Sequence, residues 1–163
     1  MADGEECRCG DELAYYGGGD PESGRDIIDI PVYDAQLAAG DGAISDRIEI
    51  ITHAPFNSNY LTTLSGRLDF SSLAMFEARG DSMHPTVSDR DYVMVDMHDT
   101  LHRDGIFAIA LGNQARIKRL QHTFSGTNIV SDNQDTYQQE TLTGNQVNEL
   151  QIIGRVIWRM GRV

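Results

Sequence analysis

Short runs in which β-branched and aromatic residues alternate with polar ones recur along most of the chain, with Gly, Asp, Asn and Pro standing between them. That pattern predicts strands joined by turns. The first is DIIDIPVYDA (26–35), where Pro31 predicts an edge position because proline has no N–H to give to a ladder. LAAGDGAISD (37–46) is small and Gly-containing, and predicts an accessible, turn-like segment. RIEIIT (47–52) predicts a strand, SNYLTTL (58–64) a short helical or irregular piece, and LAMFEA (73–78) a strand that runs into the turn GDSMHP (80–85). DYVMVDM (91–97), GIFAIAL (105–111), ARIKRL (115–120), TNIVSD (127–132) and ELQIIGRVIW (149–158) complete the set. No internal repeat is present, and no helical period is long enough for a bundle. The expected fold class is mainly β, from antiparallel strands, with little helix. The apolar alternation of FAIAL and IIGRVIW reads as core, and the last strand is also a candidate dimer edge.

Residues 1–25 break this pattern. They combine acids with Gly4, Gly10, the triplet Gly17-Gly18-Gly19, Pro21 and Gly24, which predicts a flexible acidic arm or linker. The chain therefore divides into an arm (1–25), a strand with an accessible loop (26–46) and a main domain (47–163). With 163 residues, 40% of them apolar, it has enough for one modest core.

The net charge of −12 is unevenly placed: residues 1–50 hold 13 acids against 3 arginines, whereas residues 51–163 hold 12 acids against 10 bases. An acidic segment repels a phosphate backbone, so the arm is a poor nucleic-acid contact and reads as a solvated tail. Cys7 and Cys9 are too close for an ordinary disulfide, and no second pair completes a four-thiolate zinc site. They read as reduced thiols. No apolar run reaches the roughly 20 residues that cross a bilayer, and the N-terminus lacks a secretory signal pattern, so the expected location is the cytoplasm, without a membrane. No metal or cofactor is expected.

The chemistry begins with Ser82. It lies in Gly80-Asp81-Ser82-Met83-His84-Pro85, where a strand ends in a Gly- and Pro-bounded turn. Such a turn presents a hydroxyl to a cleft and frees neighbouring backbone N–H groups to stabilise an oxyanion. Serine in a turn is more commonly a local hydrogen-bonding residue, so Ser82 alone decides nothing.

Lys118 adds the second observation. Twelve of the 13 basic residues are arginine, and Lys118 is the single lysine. An amine that sheds its proton can act as a base, and a guanidinium effectively never does. Held in an apolar pocket, a lysine falls below its reference pKa of ~10.4 and offers a neutral amine to a serine proton. Strand alternation puts Lys118 on one face with Arg116 and Leu120, opposite Ile117 and Arg119, which leaves open whether it faces inward or into solvent.

Four separated segments in this order resemble one family. GDSMHPTVSDRDYVMVD (80–96), the lysine of ARIKRL, VSDNQDTY (130–137) and IIGRVIWRM (152–160) are similar to the self-cleaving peptidase domain of LexA, phage repressors and UmuD. The resemblance runs from about residue 28 to the end. It implies a LexA-type β-fold, partly barrel-like, that cuts its own chain with Ser82 as nucleophile and Lys118 as general base. The backbone N–H groups of Ser82 and Met83 would stabilise the oxyanion. The family cuts at Ala-Gly or Cys-Gly bonds, which implies Ala39-Gly40 within the 26–46 segment; Cys9-Gly10 fits the dipeptide but lies far from the core. Two departures stand out: Arg90 replaces a common glycine, and Asp41 follows the bond where a neutral residue is usual.

The resemblance also implies a homodimer through the 47–163 peptidase and dimerisation domain. A RecA filament on single-stranded DNA is the implied inducer, and operator DNA is implied only through an N-terminal helix-turn-helix domain that residues 1–25 are too few and too Gly-rich to form. The expected function is thus the C-terminal domain of a phage-type repressor. The alternatives are a UmuD-like accessory subunit of a translesion polymerase, which has a short arm, and a non-cleaving dimerisation or sensor module. Among other residues, His84 adjoins the serine but points away as a sequence neighbour. His98 and His102 read as surface histidines, and Asp81 as a local backbone partner.

Overall fold

The computed structural model describes residues 26–38, 49–111 and 114–161. Nine strands are present among them: β1 (Ile27–Ala38), β2 (Ile50–Asn57), β3 (Leu73–Arg79), β4 (Tyr92–Asp96), β5 (Gly105–Leu111), β6 (Gln114–Thr123), β7 (Gly126–Val130), β8 (Glu140–Leu142) and β9 (Gln151–Met160). One α-helix, α1 (Ser58–Ser65), and a 3-10 turn (Gly144–Glu149) complete the described elements. Residues 1–25, with Cys7 and Cys9, and the expected scissile pair Ala39 and Gly40 lie outside the described residues.

The strands form one sheet in the order β2-β1-β3-β4-β9-β5-β6-β7-β8. Neighbours are antiparallel except β1 and β3, which run parallel. A mainly β, mainly antiparallel fold is what the alternating runs predict. The sheet curls until β1 comes up against β6, which is not its ladder neighbour, and this gives it a partly barrel-like form.

Period-two alternation explains how one sheet carries three cores. Ala74, Phe76, Val93, Val95, Ala108 and Ile117 point into the curl, where Met83 and Val87 of the Ser82 turn join them. The intervening residues face the other way. Leu73, Met75 and Met94 pack with Ile30, Val32 and Leu61 of α1, and Phe107, Ile109 and Leu120 pack with Ile129 and Leu150. Strands β3 to β6 are therefore covered on both faces, which is why their runs are so apolar. Close packing between β4 and β9 leaves no room at Gly154: a Cβ there would meet the Asp96 carbonyl oxygen at 2.5 Å.

Two expectations change. Pro31 is not on an edge strand, since β1 lies between β2 and β3. The parallel ladder to β3 starts at Val32, one residue past the proline, so the missing N–H falls where only β2 is paired. The last strand, β9, is no edge either: it sits between β4 and β5 with ladders on both sides.

Helix α1 is fixed by its ends. The Asn57 side chain accepts from the N–H groups of Asn59 at 2.9 Å and Tyr60 at 3.3 Å, and Gly66, at φ 70°, closes the helix with its N–H on the Thr62 carbonyl. Its Tyr60 hydroxyl accepts from Trp158 Nε1 at 3.0 Å, which ties the helix to β9.

Candidate active site

The turn after β3 is held from within and from below. Gly80 adopts φ 85° and its N–H donates to Asp89 Oδ1 at 2.7 Å. The His84 N–H donates to the Asp81 carbonyl and the Val87 N–H to the Met83 carbonyl, giving a tight, helix-like turn. Met83 and Val87, four residues apart, anchor it in the curl. Ser82 is buried and lines a small pocket with Ala78, Gly80, Met83, Val87 and Ile117. Among the described residues, the N–H groups of Ser82 and Met83 donate to no protein acceptor.

Arg90 has a backbone reason to matter. It is the one described non-glycine residue with positive φ, at 68°, and its N–H donates to the Ala78 carbonyl at 2.8 Å. A glycine there would be unstrained, so an arginine at this position bears a conformational cost of about 1 kcal/mol.

Lys118 lies inside the protein, with a relative exposure of 5%. Its Nζ donates to Ser131 Oγ at 2.8 Å, and the Tyr137 ring covers it with its centroid at 5.4 Å. The hydrogen bond goes to Ser131, not to Ser82. Burial pushes the lysine pKa below its ordinary value, the nearby Arg116 charge lowers it further, and Glu140 opposes both.

The segment 131–137 links this lysine to the serine turn. The Asn133 N–H donates to the Ser82 carbonyl at 3.0 Å, and Asn133 Nδ2 donates to the Asp81 carbonyl at 3.2 Å. The Tyr137 hydroxyl donates to Asp81 Oδ1 at 2.6 Å, and this bond raises the tyrosine pKa. Asp132 accepts from Arg119 through Nε and Nη2, each at 2.8 Å, and from the Thr86 hydroxyl. The Arg119 hydrogen bonds hold the Asp132 carboxyl below its usual range. The Asp81 side chain therefore accepts from the distant Tyr137 and Asn133 and not from the local backbone that its turn position predicts. The roles of Ser131, Asp132, Asn133 and Tyr137 are also absent from the sequence reading.

The remaining histidines take no part in this cluster. The exposed His84 has its Nδ1 3.5 Å from Ser88 Oγ. His98 and His102 are exposed, and His102 lies against His122 with ring centroids 5.9 Å apart. Among the described residues no group of three or more His, Cys, Asp or Glu is placed to hold a metal ion, and no helix is long and apolar enough to cross a membrane.

Residues 31–157 match the family model described as Peptidase S24-like, a span that includes the Ser82 turn, Lys118 and the 131–137 clamp. The chain belongs to this family. It is 31% identical over 123 residues to an uncharacterized HTH-type transcriptional regulator of Haemophilus influenzae, covering 74% of this chain and 51% of that protein. It is 30% identical over 135 residues to the repressor protein CI of Enterobacteria phage phi80, covering 82% of this chain and 56% of that protein. The chain thus spans about half the length of the curated relatives it matches. The Peptidase S24-like match agrees with the LexA, phage-repressor and UmuD resemblance of its motifs.

Proposed function

We propose that this Peptidase S24-like domain cuts its own chain with a Ser82–Lys118 dyad, at Ala39-Gly40, and serves as the cleavable dimerisation half of a phage-type repressor. The observation that carries the reading is the state of the single lysine. Lys118 is buried, its pKa is lowered, and its surroundings are bonded to the turn that holds Ser82. A merely solvated strand lysine would have none of these features.

The chemistry follows from those groups. The neutral Lys118 amine takes the Ser82 proton as Oγ adds to the Ala39 carbonyl carbon. The N–H groups of Ser82 and Met83 receive the oxyanion. Collapse breaks the carbon–nitrogen bond, and the Lys118 ammonium returns its proton to the Gly40 nitrogen. Water, deprotonated by the amine, then frees Ser82 and leaves a carboxylate on Ala39.

In this reading residues 1–25 are an arm, 26–46 carry the cleavage loop, and 47–163 form the peptidase and dimerisation domain in the cytoplasm. A homodimer is the working form, and a RecA filament on single-stranded DNA is the inducer by family resemblance. The HTH-type relative, about twice as long as the matched region, supports placing operator binding in a separate N-terminal domain.

Alanine at either dyad position tests the proposal. Ser82→Ala and Lys118→Ala are each expected to abolish self-cleavage in a folded protein, and Lys118→Arg to fail as well because its charge is not shed near neutrality. Wild-type cleavage by any of the three contradicts the dyad.

A further inference from the structure

Ser131 lies just past the end of β7, within hydrogen-bond reach of Lys118. The β6–β7 ladder ends at the pair Arg119↔Val130, and one step further along the same antiparallel register brings residue 118 opposite residue 131. Both side chains are buried, at 5% exposure each, and they meet at 2.8 Å. Ser131 directly follows the last residue of β7, so the end of the β6–β7 ladder brings it beside Lys118.

We propose that Ser131 is a positioning residue, which holds one N–H of the Lys118 amine and so fixes the direction of the lone pair that accepts the Ser82 proton. The inference rests on the Ser–Lys reading. A lysine side chain has four rotatable carbons and a terminal group that spins freely, and burial alone does not choose among its rotations. A single acceptor does. A neutral amine keeps two N–H bonds and one lone pair; with one N–H held by Ser131 and the Tyr137 ring over the nitrogen, the lone pair is left with a restricted set of directions.

The choice of a hydroxyl also has a chemical reason. A carboxylate at residue 131 would form a buried ion pair that keeps the lysine protonated. A hydroxyl accepts the hydrogen bond without adding charge, and leaves the amine free to lose its proton. Ser131 is thus suited to orient the base without disarming it.

The expected signature separates orientation from stability. In the full chain, Ser131→Ala lowers the alkaline plateau of the self-cleavage rate about tenfold or more, with little movement of the pH midpoint. Ser131→Thr, which keeps the hydroxyl, restores the rate to within about threefold. Ser131→Asp moves the midpoint upward. A second readout does not need cleavage: because Lys118 is the only lysine, lysine-selective 13C labelling gives one side-chain spin system. Its two ε-protons are expected to be inequivalent in the Ser82→Ala protein and to coalesce when Ser131→Ala is added. If the wild type does not cleave, the Ser–Lys reading fails, and the ε-proton splitting still decides whether Ser131 holds the amine. A Ser131→Ala plateau within twofold of wild type, a Thr variant no faster than Ala, or a splitting that survives Ser131→Ala overturns the inference.

Discussion

The backbone N–H of Asn133 donates to the carbonyl of Ser82 at 3.0 Å. This bond joins the serine turn to the strand extension that carries Ser131, the partner of Lys118. Asp132, between them, adds the Arg119 pair and the Thr86 hydroxyl, so three consecutive residues touch both halves of the candidate site.

Asp132→Asn is expected to destabilise the domain by about 1–3 kcal/mol at neutral pH, because it breaks the bidentate Arg119 pair at a mostly buried carboxylate. The deficit has a pH signature. The wild-type carboxyl is held below 3.8, so its contribution is present in full above that value and is lost as pH falls through the folded-state pKa. Urea unfolding of both proteins is expected to give a constant gap from neutral pH to about pH 5, narrowing in more acidic buffer. A gap that widens with acid contradicts the assigned pair.

Lys118 gives a slope of the same sign in the alkaline range. Its folded-state pKa lies below 10.5, so the unfolded chain binds more protons between the two values, and stability from this group rises with pH across that window. Lys118→Met removes the effect. In a Ser82→Ala background, which prevents cutting, the methionine variant is expected to be the more stable near neutrality and to lose that advantage toward the upper end of the window. Parallel unfolding profiles across the alkaline range would show that Lys118 is not held in a charge-disfavouring site.

Arg90→Gly is expected to stabilise the protein by about 0.5–1 kcal/mol. The strain of a side chain at φ 68° is relieved, and the greater freedom of glycine in the unfolded chain offsets part of the gain. The Arg90–Asp89 ion pair, at 3.7 Å and exposed, contributes little to lose. A melting temperature that falls on substitution contradicts the strained backbone.

Much of the fold is legible because short runs rich in β-branched residues and bounded by turn residues mark strands, even where both faces are covered as in β4 and β5. DYVMVDM, GIFAIAL and IIGRVIW lie within or over β4, β5 and β9, and SNYLTTL lies in α1. Edge positions were not legible: Pro31 argues for an edge only if both neighbours must be paired at that residue, and β3 joins one step later. Strand β8 shows why short polar stretches escape notice: Glu140–Leu142 has no apolar period, and it is held to β7 by its ladder and by the Thr141 hydroxyl donating to Asn128 Oδ1 at 2.9 Å. Ser82 and Lys118 were legible as residue types, a serine in a Gly-bounded turn and a lone lysine among arginines. The inward direction of Lys118 was not, because β6 buries residues of both parities: Ile117 enters one core and Leu120 another. Ser131 becomes readable only once the β6–β7 hairpin has a register, and the partners of Asp81 lie on a distant segment that no local pattern connects to it.

The central claim is that a neutral Lys118 activates Ser82 against Ala39-Gly40, and intact mass across pH tests it most directly. Burial lowers the lysine pKa, and the neutral fraction grows as pH rises through the folded-state value, so the first-order rate is expected to rise with pH and then level off. The rate constant is expected to be independent of protein concentration, as an intramolecular reaction requires. Cleavage of the 163-residue chain after Ala39 gives pieces of 39 and 124 residues, the larger beginning at Gly40, and the Ser82→Ala protein stays whole. If no 124-residue piece forms at any pH, with or without an activated RecA filament, cleavage at Ala39-Gly40 is contradicted and the non-cleaving dimerisation module becomes the better description.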